Sequence, residues 1–262
     1  MSLIELSRDG AIGRLTIRRP EKRNAITQEM MTDLEGTARE LSGDEQVRAV
    51  VLDAEGDDFS VGADLSQPRF SGGEQPSLLM RRRGAELGAK LMRSLREIPQ
   101  PTVCAIQGVA TGAGACIATA CDFRIASREA RIGYGEVKIG INLMWHAVGP
   151  CVQLVGPARA KQLIMTGRLF GAETLERWGF VDEVVEPSAL QERAREWAEE
   201  YAALPPIAVQ MIKRTIQRYS GALDEAILHA DADQWMLASL SEDFREAVSA
   251  FFEKRTPTYR GN

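Results

Sequence analysis

The sequence predicts an α/β fold in which a parallel sheet grows from β-β-α turns and a helical segment closes the chain. Three observations predict it. Strand-length runs at 14–18 and 47–52 flank a helical period that starts after Thr27, and strand–helix–strand in that order makes a crossover between parallel strands. A buried run at Thr102–Ile106 passes through small residues into a short apolar helix and a further strand. Beyond Gly140 the pattern turns mostly helical. With 262 residues, one core plus an appendage is expected. Residues 1–200 are assigned to the core and 201–262 to a C-terminal helical region, with Pro205-Pro206 near the boundary.

The elements follow in order. Strands at 3–7 and 14–18 flank the turn signal Asp9-Gly10. Thr27 caps a helix with an apolar stripe of Met30, Met31, Leu34, Ala38 and Leu41. Residues 54–77 form a long loop rich in Gly56, Gly62, Gly72, Gly73, Pro68 and Pro76, and a loop of that length is a functional or mobile one. A helix spans about 77–97 and ends before Pro99 and Pro101. The small residues Gly112-Ala113-Gly114 open a helix to Ala120, and a strand follows at 122–126. Thr174 caps a short helix that ends at Gly179, residues 180–185 read as a strand, and helices are expected near 188–203, 206–219, 222–239 and 241–253.

Composition excludes several function classes. Hydrophobic residues make up 44% and charged residues 26%, ordinary for a globular chain, and the net charge of −5 argues against a nucleic-acid partner. Arg81-Arg82-Arg83 is expected to be a solvated helix face. Cys104, Cys116, Cys121 and Cys151 form no C-x-x-C pair and no signal peptide is visible, so free thiols in a cytoplasmic protein are expected. His146 and His229 are the two histidines, too few for a metal cluster of usual spacing. Residues 98–121 carry no charge over a length that could cross a bilayer, but their prolines, glutamines and glycines fit a buried strand, a turn and a helix instead. No membrane association is expected.

Chemistry concentrates in three neighbourhoods: 59–64, 108–114 and 135–140. In the second, a helix begins after a buried strand among small residues. Its unpaired N–H groups and dipole make an anion or oxyanion site, although the glycines are also explained by close helix packing. A dinucleotide fingerprint is broken because Ile117 stands where Gly or Ala is wanted. A nucleophile elbow around Ser60 is broken because Asp58 stands where Gly is required. Gly62-Ala63 is better suited to a turn that offers a backbone N–H.

Six ordered segments then carry a resemblance: FSVGADL at 59–65, GVATGAGACIATACDFRIAS at 108–127, GYGEVKIGI at 133–141, MTGRLF at 165–170, WGFVDEVV at 178–185 and AFFEKRTPTYRG at 250–261. Together they resemble the enoyl-CoA hydratase/isomerase (crotonase) family from about residue 3 to 261. The resemblance implies a crotonase-like spiral of β-β-α turns with a helical C-terminal trimerisation region, homotrimers or hexamers built as dimers of trimers, and acyl-CoA thioester substrates. Coenzyme A is then part of the substrate, and neither a separate cofactor nor a metal is implied. Matched by motif, the oxyanion hole comprises the N–H groups of Ala63 and Ala113. The family usually has Gly at the latter position, so Ala113 would be strained if its φ were positive. Lys22, Arg23 and Ala25 are implied near the CoA phosphates and pantetheine, Asp64 and Leu65 near the adenine, and Lys254 at a CoA phosphate across a subunit interface. Gly112 and Trp145 are implied along the bound substrate.

The resemblance also bears on the reaction. Hydratases of the family use two glutamates. This sequence keeps one, Glu136, and has Cys116 at the other position. A thiol is a poor substitute, with an ordinary pKa of about 8.5 and weak acceptor strength. Proton transfer of the Δ3,Δ2-enoyl-CoA isomerase kind, with Glu136 as base, is therefore expected in fatty-acid or related metabolism. The alternatives are an atypical one-glutamate hydratase, a lyase, or a non-catalytic acyl-CoA-binding scaffold. Cys116 is either a small buried replacement or a nucleophile lowered in pKa by the helix terminus. Trp145 and His146 are expected to shape an acyl pocket.

Overall fold

The computed structural model describes residues 2–66, 76–228 and 230–262. Strands β1 (Ile4–Asp9) and β2 (Ile12–Ile17) form an antiparallel hairpin turning at Gly10, whose φ of 58° suits a residue without a Cβ. In α1 (Gln28–Gly43) the Met30 N–H donates to the Thr27 hydroxyl, and the buried residues are the five of the expected stripe. β3 (Ala49–Ala54) pairs parallel with β2, completing the crossover. Helix α2 (Leu78–Arg96) is capped by Ser77. Then come β4 (Thr102–Ile106), β5 (Val109–Thr111), α3 (Ala113–Ala120), β6 (Phe123–Ser127), β7 (Arg131–Gly133) and a 3-10 turn at Glu136–Ile139. Next are α4 (Val148–Thr166), kinked at Gly156-Pro157, β8 (Phe170–Gly171), α5 (Ala172–Trp178), β9 (Glu183–Val185) and α6 (Leu190–Ala202).

Among the described residues the strands make a six-stranded sheet, β1-β2-β3-β4-β6-β9, and a three-stranded sheet, β5-β7-β8. Alternate residues of β3 enter different cores. Val50 and Leu52 join the large core with Met30, Leu34, Leu91 and Ile117, while Ala49 and Val51 pack with Leu190, Ala194 and Ala198 of α6. The sheet is covered on both faces, which is why its strands read as continuous apolar runs. The chain leaves the large sheet for the small one at Gly108 (φ 52°), where a Cβ would stand 2.0 Å from the Asp57 carbonyl oxygen. Only glycine fits there, and this switch carries the chain into the site.

The C-terminal region comprises α7 (Pro206–Ser220), α8 (Glu225–Leu228), α9 (Asp231–Leu240) and α10 (Glu242–Glu253). Helix α7 buries none of its residues and leaves Ile207, Met211, Ile212 and Ile216 exposed. Among the described residues no helix is long and apolar enough to cross a membrane, and no cluster of three metal-ligating side chains occurs. The uncharged stretch 98–121 is β4, β5 and α3, and all four cysteines are buried and unpaired.

Several expectations are corrected. Arg81 and Arg82 are not a solvated face. Arg81 donates to Ser239 Oγ at 2.9 Å and lies over Trp235, and Arg82 pairs with Asp233 at 2.8 Å, docking α9 on α2. Thr174 does not cap α5. The strand β8 feeds straight into the helix at Gly171, which takes the cap position. The helix expected over 222–239 is two, α8 and α9, and His229 lies outside the described residues. Residues 180–185 give only a short β9, because Phe180 and Val181 bury in the turn after Gly179. Pro68, Gly72 and Gly73 of the long loop also lie outside the described residues. β5, β7 and β8 are too short to have shown a period.

Candidate active site

Residues 59–64 run as a narrow extended segment between two neighbours. On one side Ser60 bridges Ala110, with Ser60 N–H to Val109 O at 3.0 Å and Thr111 N–H to Ser60 O at 2.9 Å. On the other, Ala63 bridges Ile26: the Gly62 carbonyl accepts the Ile26 N–H at 2.8 Å, and the Asp64 N–H donates to Ile26 O at 2.9 Å. Backbone groups alternate in direction along an extended segment, so the Ala63 N–H faces away from Ile26. Among the described residues it has no acceptor.

Ala113 is the first residue of α3, where N–H groups have no partner inside the helix. Its φ is not positive. The left-handed position falls on Gly112, at φ 53°, so the strain foreseen for Ala113 does not arise. The two segments touch, since a Cβ on Gly62 would lie 3.1 Å from Thr111 O and 3.7 Å from Gly112 Cα. The structure thus brings Ala63 and Ala113 together as their motifs suggested.

Glu136 opens the 3-10 turn after β7, and β7 lies beside β5. The Gly112 N–H donates to Gly133 O at 3.3 Å, and a Cβ on Gly112 would stand 3.4 Å from Glu136 Oε1. The residue is half-buried overall, but Oε2 is shielded from water and among the described residues has no hydrogen-bond partner. Burial pushes the carboxyl up to about 7, its own amide opposing. Tyr134, fully buried two residues earlier, shares a 2.6 Å hydrogen bond with Thr119 of α3, fixing the Glu136 segment to the helix that carries Ala113.

The remaining candidates divide. Ala25 borders the 61–64 segment, and the Arg23 carbonyl accepts the Val61 N–H at 3.1 Å, so these two and the neighbouring Lys22 stand beside Ala63. The Arg23 side chain pairs with Asp58 at 2.6 Å. Burial opposes ionisation of Asp64, but hydrogen bonds from Ser66 and Arg19 outweigh it and hold the carboxyl down at about 2. Its oxygens serve Arg19 and Ser66, so Asp64 fixes the loop, with half-buried Leu65 next to it. Cys116 is buried on α3 within electrostatic range of Glu136, and burial pushes its thiol well up, against the nucleophile alternative. Trp145 is buried in the large core. Lys254 ends α10 exposed and among the described residues forms no ion pair. Nothing within one chain brings it to Lys22 or Ala63.

Sequence reasoning missed the residues that hold the two amides in place. Buried Asn24, at φ 56°, gives its side-chain amide to Glu55 O and Asp58 O and accepts the Arg19 N–H. Buried Ser60 donates to Asn24 O at 2.7 Å and accepts the Gly62 N–H. The one available signal was that asparagine tolerates the left-handed region. An open cavity of about 840 Å³ between the end of α2, α7 and residues 221–228 is lined by none of Ala63, Ala113 and Glu136.

The family model for enoyl-CoA hydratase/isomerase matches residues 7–262. The chain belongs to the enoyl-CoA hydratase/isomerase family. It is 34% identical to the short-chain-enoyl-CoA hydratase of Clostridium acetobutylicum, over 95% of this chain and 94% of that one. It is 32% identical to the 1,2-epoxyphenylacetyl-CoA isomerase of Escherichia coli, over 94% of both chains. Among solved structures, the enoyl-CoA hydratase/isomerase of Pseudoalteromonas atlantica superposes with a TM-score of 0.87 at 28% identity, covering 99% of this chain and all of that one. Family membership carries the crotonase fold and action on acyl-CoA thioesters, and the near-complete coverage agrees with the one continuous spiral seen here.

Proposed function

We propose that the protein stabilises an acyl-CoA enolate on the Ala63 and Ala113 N–H groups while Glu136 moves the proton. The observation that carries this is the position of Glu136: its carboxylate lies against Gly112, where the two amide-bearing segments meet. A thioester oxygen on such a pair gains about 3–4 kcal/mol in the transition state from each donor. A carboxyl near pH 7 in pKa can both take and return a proton, as transfer from C2 to C4 of a 3-enoyl-CoA requires. Buried Cys116 offers no second carboxylate to hold a water, which favours isomerisation.

Hydration of 2-enoyl-CoA is the second reading, favoured by the hydratase relative at 34% identity, with Glu136 alone activating water. Product analysis with 3-enoyl- and 2-enoyl-CoA separates the two. Isomerisation faster than hydration supports the first, the reverse supports the second, and turnover unchanged in Glu136→Gln refutes both.

Lys22, Arg23, Ala25 and Leu65 are proposed to line the CoA moiety, with Asp64 holding their loop. Lys254 is proposed to reach a phosphate from a neighbouring subunit, since its own chain gives it no partner. The exposed apolar row on α7 supports trimers within the 201–262 region, and hexamers from them. Four unpaired thiols support a cytoplasmic setting.

A further inference from the structure

Two consecutive large residues, Trp145 (φ 65°) and His146 (φ 58°), lie in the left-handed region. Neither is glycine, so the surroundings must impose the conformation. Two contacts do so. The His146 N–H donates to Asp231 Oδ2 at 2.8 Å, tying the loop to the first turn of α9. The Trp145 indole occupies the space that a side chain on α2 would fill, because a Cβ on Gly88 would fall 2.0 Å from Trp145 Nε1. Glycine at 88 is thus the seat of the ring.

This pair lies beyond Cys116 as seen from Glu136. Cys116 is within electrostatic range of the Glu136 carboxylate on one side and of Asp231 on the other. On the far side is the cavity of about 840 Å³, lined by His146 and by Met92, one helical turn after Gly88. Trp145 therefore stands between the Glu136 site and open space.

We propose that Trp145, seated on Gly88 and positioned by the His146–Asp231 hydrogen bond, is the end wall of the acyl site and confines it to short acyl chains. The proposal rests on acyl-CoA binding at the Glu136 site. Trp145 is the specificity-determining residue, and Asp231 is a positioning residue that acts through the His146 backbone. Removing the indole joins the site to the cavity and admits longer chains.

The test is calorimetric binding of butyryl-, hexanoyl-, octanoyl- and decanoyl-CoA to the full chain, with turnover measured in parallel. Wild type is expected to lose at least about tenfold in affinity between hexanoyl- and decanoyl-CoA. Trp145→Gly, which adopts the left-handed conformation freely, should abolish that loss. Gly88→Ala should push the ring inward and move the loss to shorter chains. Asp231→Ala should blunt the discrimination and Asp231→Asn, which keeps an acceptor, should restore it. Thermal melts identify any variant that fails to fold, and the remaining variants decide. Wild type binding decanoyl- as tightly as hexanoyl-CoA, or folded variants keeping the wild-type profile, would overturn the wall. Discrimination with no turnover of any enoyl-CoA would overturn the reaction while leaving the wall standing, and no binding at all would overturn both.

Discussion

Gly112 and Glu136 face each other so closely that one methyl group on Gly112 would stand 3.4 Å from Glu136 Oε1. The glycine also sits at φ 53°, which an L side chain adopts at a cost of roughly 1–2 kcal/mol. Base and oxyanion amides are thereby parts of one contact, and perturbing either disturbs both.

Gly112→Ala should therefore fold with a modest loss of stability and a large loss of rate. Displacing the Ala113 N–H from its aim is expected to lower kcat by roughly 10²–10³, the range for losing one oxyanion donor. Steady-state kinetics beside a thermal melt checks this, and a kcat within threefold or so of wild type would count against the assignment of the amides.

The raised pKa of Glu136 predicts the pH profile of the free enzyme. kcat/KM should rise with pH through about 7 as the carboxyl ionises, then level off. A profile already flat from pH 5 would mean that the group titrates normally or is not the base.

The same shift has a stability consequence. The folded-state value of about 7 lies above the ordinary 4.5, so the contribution is complete below about pH 4.5 and disappears as pH rises through 7. Relative to Glu136→Gln, wild type should lose on the order of 2–3 kcal/mol between pH 4.5 and 8. Urea titrations of both proteins across that range measure it, and parallel curves would show that the buried carboxylate is solvated after all.

Cys116 is buried with its thiol held protonated, so it should neither alkylate in the native state nor carry an acyl group. Mass spectrometry after mixing with acyl-CoA should find no adduct, and Cys116→Ala should keep most of its activity. An acyl-Cys116 species would replace proton transfer by thioester hydrolysis as the chemistry.

The isolated Arg124 side chain predicts a structural effect. Its guanidinium is buried and donates to Phe180 O at 2.5 Å, Cys121 O at 2.7 Å and Asp182 Oδ2 at 3.2 Å, joining β6 to the turn before β9. Arg124→Ala strands these acceptors and should cost about 3–5 kcal/mol by denaturant unfolding.

The sequence by itself determined the long elements and the motifs. The stripe of α1, the caps Thr27 and Ser77 and the bounds of β4 were legible because local period and capping chemistry decide them. It also named Glu136, Ala63 and Ala113 through ordered motifs. Only the tertiary structure decided that positive φ falls on Gly112 rather than Ala113, that Asn24 and Ser60 brace the amides, and that α2 docks α9 through Arg81 and Arg82. Those outcomes depend on hydrogen bonds between residues tens of positions apart. Likewise, a carboxylate acquires a shifted pKa from what is packed around it, and no window of neighbouring letters encodes that packing.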